Sequence, residues 1–317
     1  NENCTLCGDC AAASQSEIDS EYDFGMKKNK GAYLPFEMAF PSRFVISPEI
    51  IGTDDAGRIK DACKYDAVDL DMEAKTLNLN VGSIVWATGW QPYDAAKIDN
   101  LGFGQYPNII TNMMMERLAA PNGPTRGKIV RPSDDKEPES IAFVQCAGSR
   151  DENHLPYCSY ICCMASLKQA TYVRERYPDA KIYVFYIDLR TPGNRYEKFY
   201  EKIKEDENIF LIKGKVAEVS EDAASKNVTV VAENAVTGEK IHQTVEMVVL
   251  ATGMQPTTAD VKLPAELQYT EDGFLLNDFE KGGMFAAGCA NIPADVVSSN
   301  QNATGMSLKA IQTLVNR

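Results

Sequence analysis

The residues with the most distinctive chemistry are four cysteines close together in the middle of the chain: Cys146, Cys158, Cys162 and Cys163. They follow an apolar, strand-like run at residues 141–145 and accompany a predicted helix from about Ser159 to Arg176. Thiolates gathered where a strand ends and a helix begins are soft ligands, which suit an iron-sulfur cluster or zinc. The C-x11-C-x3-C-C spacing predicts a 4Fe-4S site here. Zinc, a vicinal disulfide and unligated buried thiols are the alternatives.

A second set of cysteines opens the chain as Cys4-x2-Cys7-x2-Cys10. In a bacterial two-cluster ferredoxin such a run continues to a fourth cysteine that ligates the other cluster, whereas Ser14 stands at that position here. Cys63 resembles the later cysteine that crosses back to the first cluster. We therefore predict a one-cluster ferredoxin-like module over residues 1–78, with four ligands: Cys4, Cys7, Cys10 and Cys63. A zinc knuckle and a lone redox C-x-x-C pair are the alternatives.

Composition narrows the classes of function that remain open. The formal net charge of -13 argues against nucleic acid as a partner, because nucleic-acid binding needs a basic face. Nine cysteines, grouped mainly in two sets, indicate ligand sets in a reducing compartment rather than a secreted disulfide framework. No apolar run is long enough to predict a direct membrane span.

Two similar strand-like segments carry a possible cofactor-binding motif, at Ser83–Gly89 and Met247–Gly253. Each is apolar, ends in Ala-Thr-Gly and is followed by Gln-Pro. Such a segment is typical of the strand that closes a nucleotide-binding lobe in flavoproteins with two dinucleotide-binding domains, where small residues allow close approach to a cofactor. The expected cofactor-binding residues of the two segments are Ala87, Thr88, Gly89, Thr252 and Gly253.

Between these segments the pattern predicts a second lobe at residues 140–246, built as a β-α-β-α-β unit with a parallel sheet. The strands are predicted at 141–145, 181–186 and 209–212, with a helix at 196–205 and a hairpin-rich stretch at 215–246. Its first turn reads Cys146-Ala-Gly-Ser-Arg instead of G-x-G-x-x-G, so we expect no NAD(P)H binding. Residues 77–81 alternate like one more strand, and residues 79–139 and 247–317 are expected to belong to a flavin-binding domain.

The C-terminal stretch places Gly288-Cys289-Ala290 between a strand and a predicted helix at 303–315. It is similar to the last flavin motif of such flavoproteins, where a helix N-terminus faces the isoalloxazine. We expect Gly288, Cys289, Ala290 and Gln301 to contact the cofactor. A plain βα unit with a buried cysteine is the alternative.

Together, the motifs resemble the HdrA family, the flavin subunits of heterodisulfide reductases. The resemblance implies an α/β, thioredoxin-reductase-like fold with two dinucleotide-binding domains, FAD and two 4Fe-4S clusters. It also implies catalytic roles for Cys289 and for Lys168, whose charge would stabilise a reduced flavin; a solvated helix lysine is the alternative. The family's N-terminal G-x-G-x-x-G is absent from these residues. We expect about 100 further residues to form that part of the lobe.

Within the family, the pattern is most similar to short members found in quinone-interacting membrane-bound oxidoreductases of sulfate reducers. This implies electron transfer between a membrane menaquinone module and adenylylsulfate reductase. The partners would be a sibling HdrA-like flavoprotein and a membrane quinone subunit, and the location would be cytoplasmic, at the inner face of the membrane. A flavin-based bifurcating subunit is the alternative within the family. A pyridine-nucleotide disulfide reductase and a zinc-bound scaffold are alternatives from other classes.

Overall fold

The computed structural model describes residues 1–315, which divide between two compact units. The first unit contains residues 1–79 and 117–127, and the second contains residues 80–116 and those from 128 onward. Among residues 1–315, no helix combines the length and the apolar character that crossing a bilayer requires.

The first unit is built from very short elements around a small apolar core. Its elements are α1 (Asp9–Ala13), β1 (Glu17–Asp19), β2 (Lys28–Lys30), β3 (Ala32–Tyr33), β4 (Val45–Ile46) and α2 (Asp54–Asp61). Strands β1 and β2 pair antiparallel, as do β3 and β4. Cys10 packs in the core with Ala32, Ile50 and Ile59. A unit this small with so little apolar core is the kind that a bound metal centre commonly stabilises.

The second unit is organised around a five-stranded parallel sheet with the order β10-β9-β8-β14-β7. Its strands are β7 (Ile109–Thr111), β8 (Ser140–Ala147), β9 (Lys181–Tyr186), β10 (Ile209–Lys213) and β14 (Met247–Thr252). Its helices include α4 (Cys162–Arg176) and α5 (Asn194–Lys204), and α3 (Asn112–Ala119) begins in this unit and ends in the first. β8 and β14 are almost wholly buried, as expected for central strands of a parallel sheet.

Three smaller sheets complete this unit. One is an antiparallel meander of β11 (Val216–Glu221), β12 (Val228–Glu233) and β13 (Lys240–Val245). The second pairs β6 (Trp90–Pro92) antiparallel with β15 (Met254–Pro256). The third pairs β5 (Ile84–Trp86) in parallel with β16 (Met284–Ala286), and the long helix α6 (Val296–Val315) follows it.

The structure confirms the predicted α/β class and the β-α-β-α-β order of the second lobe. The strand at 181–186 was predicted with its observed bounds. The predicted start of the helix at Ser159 was wrong, since α4 begins at Cys162. The strand prediction at 77–81 was also wrong: no strand forms there, and Leu77 is 78% exposed. Helix α6 begins at Val296, seven residues before the predicted start at 303.

Candidate metal centres and flavin-binding segment

The first cysteine set converges on one cavity of the first unit. The cavity measures about 590 Å³, and all four predicted ligands line it: Cys4, Cys7, Cys10 and Cys63. Apolar side chains, among them Phe44 and Leu70, and polar ones, among them Arg43 and Asp69, line the rest of it. The two cysteines at the ends of this set are 59 residues apart in sequence, so the fold of the whole unit is required to bring them together.

Local backbone geometry adapts the first set to a bound anionic centre. Leu6 and Gly8, on either side of Cys7, have φ of 60° and 84°, which turns the chain tightly between successive cysteines. The Ala67 N–H donates to Cys63 Sγ at 3.3 Å. Burial opposes ionisation of Cys63, but N–H groups including that of Ala67 lower its pKa overall. This sulfur is therefore prepared to bind metal as a thiolate.

Ser14 stands at the position where a two-cluster ferredoxin has a cysteine ligand of its second cluster. Its side chain makes two hydrogen bonds instead. Its Oγ donates to Asp55 Oδ2 at 2.7 Å and accepts from the Gly31 N–H at 2.8 Å. The backbone N–H groups of Gln15 and Ser16 also donate to Asp55. These bonds hold the pKa of Asp55 well below its usual range. Buried hydrogen bonds around Asp55 are therefore present where that ligand would be.

The second cysteine set converges in the same way, on a cavity at the carboxyl end of β8. Cys146, Cys158, Cys162 and Cys163 all line it. Cys146 lies within β8 at a φ of 57°, next to an irregularity in the pairing of β8 with β14. Cys162 and Cys163 are the first two residues of α4. Cys158 Sγ accepts a hydrogen bond from the Tyr160 N–H at 3.4 Å.

The loop that carries Cys158 is fixed against the second Ala-Thr-Gly segment. Ser159 Oγ lies 2.6 Å from Ser149 Oγ and accepts from the Met254 N–H at 2.8 Å. A Cβ on Gly253 would lie 2.6 Å from Leu155 Cδ1 and 2.6 Å from Ser149 Oγ. Glycine is therefore required there so that the loop can pack closely, which is a structural reason for this part of the motif.

Thr252, in that segment, contacts one of the cysteines. Its carbonyl oxygen lies 3.5 Å from Cys162 Sγ, and its hydroxyl donates to Asn112 Oδ1 at 3.0 Å. The Asn112 carbonyl in turn accepts from Gln169 Nε2 of α4 at 2.9 Å. The hydrogen bonds thus connect β14, α3 and α4 around Cys162.

Burial dominates the electrostatics of the second set. It raises the pKa of Cys146 to about 11, and it also raises the pKa values of Cys162 and Cys163. Three buried thiols whose pKa values are raised become thiolates together only beside a cationic centre. The four sulfur donors that line one cavity fit such a centre.

All nine cysteines, each of which lies in the described part of the chain, are free of disulfides. Within residues 1–315, no group of three or more His, Cys, Asp or Glu side chains lies close enough to hold a single metal ion.

In each of the two Ala-Thr-Gly-x-Gln-Pro segments, the glycine carbonyl accepts a hydrogen bond from a residue that follows the other segment. The Tyr93 N–H donates to the Gly253 carbonyl at 2.7 Å, and the Thr257 N–H donates to the Gly89 carbonyl at 3.4 Å. Ala87 and Thr88 are exposed, whereas the second segment is buried. The first segment is therefore open to a ligand, and the second is used in packing.

The predicted flavin contacts of the C-terminal stretch surround a 3₁₀ turn at Gly288–Ala290. Gly288 has a φ of 60° and donates its N–H to Asn302 Oδ1 at 2.8 Å. Cys289 Sγ lies 3.4 Å from the Ala294 carbonyl and 3.6 Å from Ser299 Oγ. Gln301 is exposed on α6. Among the described strands, β5 and β16 pair only with each other.

Lys168 lies on α4, and its Nζ is 2.9 Å from Glu116 Oε1. Gln169 Nε2 donates to that same carboxylate oxygen at 2.8 Å. Burial lowers the pKa of Lys168, but its contacts with Glu116 outweigh burial and raise the pKa overall. The lysine therefore remains a cation, and its role toward a flavin stays a prediction.

Sequence reasoning did not find Asn112, Gln169 or Arg150 as residues that support the site. Arg150 lines the cavity of the second cysteine set together with Asp188 and Arg190. The only signal in the sequence was its position shortly after Cys146. Asn112 and Gln169 gave no signal, because their contacts join residues 57 positions apart.

No family model matches this chain. It is 38% identical over 322 residues to an A-type iron-sulfur subunit of the CoB–CoM heterodisulfide reductase of Methanopyrus kandleri, covering 98% of this chain and 49% of the relative. It is 34% identical to the corresponding iron-sulfur subunit of the CoB–CoM heterodisulfide reductase of Methanocaldococcus jannaschii, covering 95% of this chain and 47% of that protein. The chain spans about half the length of these curated relatives.

Among solved structures, a thioredoxin reductase of Lactococcus lactis aligns with a TM-score of 0.47 at 15% identity. The alignment covers 74% of this chain and 67% of that one. The similarity to the heterodisulfide reductase subunits extends along nearly the whole chain. These relatives support an HdrA-like family for this sequence.

Proposed function

We propose that this chain is an oxidoreductase subunit that transfers electrons through two 4Fe-4S clusters and FAD. The observation that carries the proposal is the convergence of eight free cysteines on two cavities, four in each. The relatives' description as iron-sulfur subunits of a heterodisulfide reductase supports it. Bound in these cavities, the clusters supply one-electron transfer, and FAD couples it to two-electron chemistry.

The residues of the chain have distinct tasks in this proposal. The two sets of thiolates hold the clusters, and backbone N–H groups such as that of Ala67 stabilise negative charge on the sulfurs. Apolar side chains such as Phe44 and Leu70 lie beside the thiolates in the first cavity. Ala87–Gly89 and Gly288–Ala290 would hold the flavin, and Cys289 and Lys168 would act on it.

We further propose a particular complex for this subunit. Ser14 is the position of a lost second-cluster ligand, and this loss makes the chain most similar to QmoA within the family. QmoA-like chemistry would pass electrons between a membrane menaquinone module and adenylylsulfate reductase. A QmoB-like flavoprotein and a QmoC-like membrane subunit would then be its partners, at the cytoplasmic face of the membrane. The buried hydrogen bonds of Ser14 to Asp55 and Gly31 support a stable one-cluster module.

The test is the amount of iron, acid-labile sulfide, zinc and flavin per chain in anaerobically prepared protein. Two 4Fe-4S centres predict about eight iron and eight sulfide. Cys63→Ser and Cys158→Ser should each reduce both amounts by about four, because each removes a ligand of one set. Cys289→Ser is the matched control, since the ninth cysteine belongs to neither set and its substitution should leave iron unchanged.

Three outcomes would contradict the proposal. Stoichiometric zinc without iron would show a structural scaffold. Unchanged iron in Cys158→Ser would show that the second set does not bind a cluster. Flavin without acid-labile sulfide would instead favour a thiol-based reductase that uses the cysteines as a redox pair.

A further inference from the structure

Two arginines line the cavity of the second cysteine set, and the proposed function gives neither of them a task. Arg150 is the better sheltered, with 25% of its side chain exposed against 48% for Arg190. The Arg150 guanidinium donates to the Asp188 carboxylate, which lines the same cavity. Its charge therefore acts on the site with less screening by solvent than a surface charge.

The backbone holds Arg150 in a conformation that a residue with a side chain rarely adopts. Its φ is 54°, in the left-handed region that costs free energy for every residue except glycine. The Arg150 N–H donates to the Tyr157 carbonyl at 3.0 Å, and the Leu155 N–H donates to the Gly148 carbonyl at 3.0 Å. Strain that a loop holds in place in this way is commonly found at functional sites.

Arg150 and all four cysteines of the second set line the same cavity. Cys163 Sγ also lies 3.8 Å from the carbonyl oxygen of Asp188, the residue that pairs with Arg150. A fixed cation beside thiolates favours any further negative charge placed on the same centre.

We propose that Arg150 raises the reduction potential of the centre held by the second cysteine set and that Asp188 opposes it. The inference rests on the proposed function, because it requires a cluster at that site. Uptake of one electron makes the centre more negative by one charge, so a fixed cation lowers the free energy of the reduced state. At an effective dielectric constant of about 20, a unit charge about 12 Å from the centre changes the equilibrium constant about tenfold. That corresponds to about 59 mV for one electron.

The experiment is an anaerobic redox titration followed by electron paramagnetic resonance, on the cofactor-loaded protein and on two variants, Arg150→Gln and Asp188→Asn. The Cys63→Ser variant identifies which signal belongs to the second centre. Arg150→Gln should lower the potential of that centre by about 59 mV or more, and Asp188→Asn should raise it. The potential of the first centre is an internal control and should not change.

The opposite signs separate a role of charge from a purely structural role. If both variants shift the potential in the same direction, or if Arg150→Gln retains its iron at an unchanged potential, the proposal is wrong. If Arg150→Gln fails to hold iron, the Asp188→Asn variant is the test. A raised reduction potential of its second centre supports the proposal, and an unchanged potential overturns it. Absence of a cluster from the unsubstituted protein would instead refute the proposed function.

Discussion

The hydroxyl of Thr252 offers a sharp test of how the second cysteine set is held. Thr252 is buried and donates to Asn112 Oδ1 at 3.0 Å, which joins β14 to α3 beside Cys162. Thr252→Val keeps the shape of the side chain and removes only the donor. A buried acceptor that loses its partner costs about 1–3 kcal/mol. Because Asn112 Oδ1 keeps the Met113 N–H at 3.1 Å, we expect the lower part of that range, about 1–2 kcal/mol.

For a unit of this size, that loss corresponds to a Tm decrease of about 2–8 °C. The assay is thermal unfolding of anaerobic, cofactor-loaded protein, followed by visible absorbance of the iron centres and by circular dichroism. Thr252→Ser retains the hydroxyl and should recover most of the stability. Thr229→Val is the matched control, because Thr229 makes an exposed hydrogen bond to Thr244 and its loss should change stability by no more than about 0.5 kcal/mol.

Equal Tm values for Thr252→Val and Thr252→Ser would refute this reasoning, since the two differ in the donor. A decrease as large in Thr229→Val would show that valine itself destabilises the fold and that the buried bond is not the cause.

Two further predictions concern the first unit and the cysteine loop. Ser14→Ala removes a buried donor to the Asp55 carboxylate and should lower the free energy of unfolding of the first unit by about 1.5–3 kcal/mol. Chemical denaturation measures this free energy. An unchanged value would mean that the hydrogen bonds around Asp55 do not stabilise the unit. Gly253→Ala would place a methyl group 2.6 Å from Leu155 Cδ1 and 2.6 Å from Ser149 Oγ, so we expect it to displace the loop and to lose about four iron of the second cluster. Full iron retention in Gly253→Ala would show that the loop can move without harm to the site.

Much of the second lobe could be predicted because its signals are local. The alternation of apolar strands with amphipathic helices gave the strand at 181–186 and the parallel arrangement. The same local reasoning was wrong at 77–81, where alternation is present but no strand among residues 1–315 pairs with the segment. A strand requires a neighbour to satisfy its backbone groups, and the sequence of one segment does not contain that information.

At the candidate metal centres, too, some features could be predicted from local sequence and others could not. The amino-acid sequence by itself predicted the candidate ligands, because the number and spacing of the cysteines limit which metals they suit. Only the tertiary structure decided which other atoms meet them. Thr252 contacts Asn112 across 140 positions, and Arg150 meets Asp188 across 38. Such contacts depend on the order and register of the strands, which a packed core fixes and a local pattern does not.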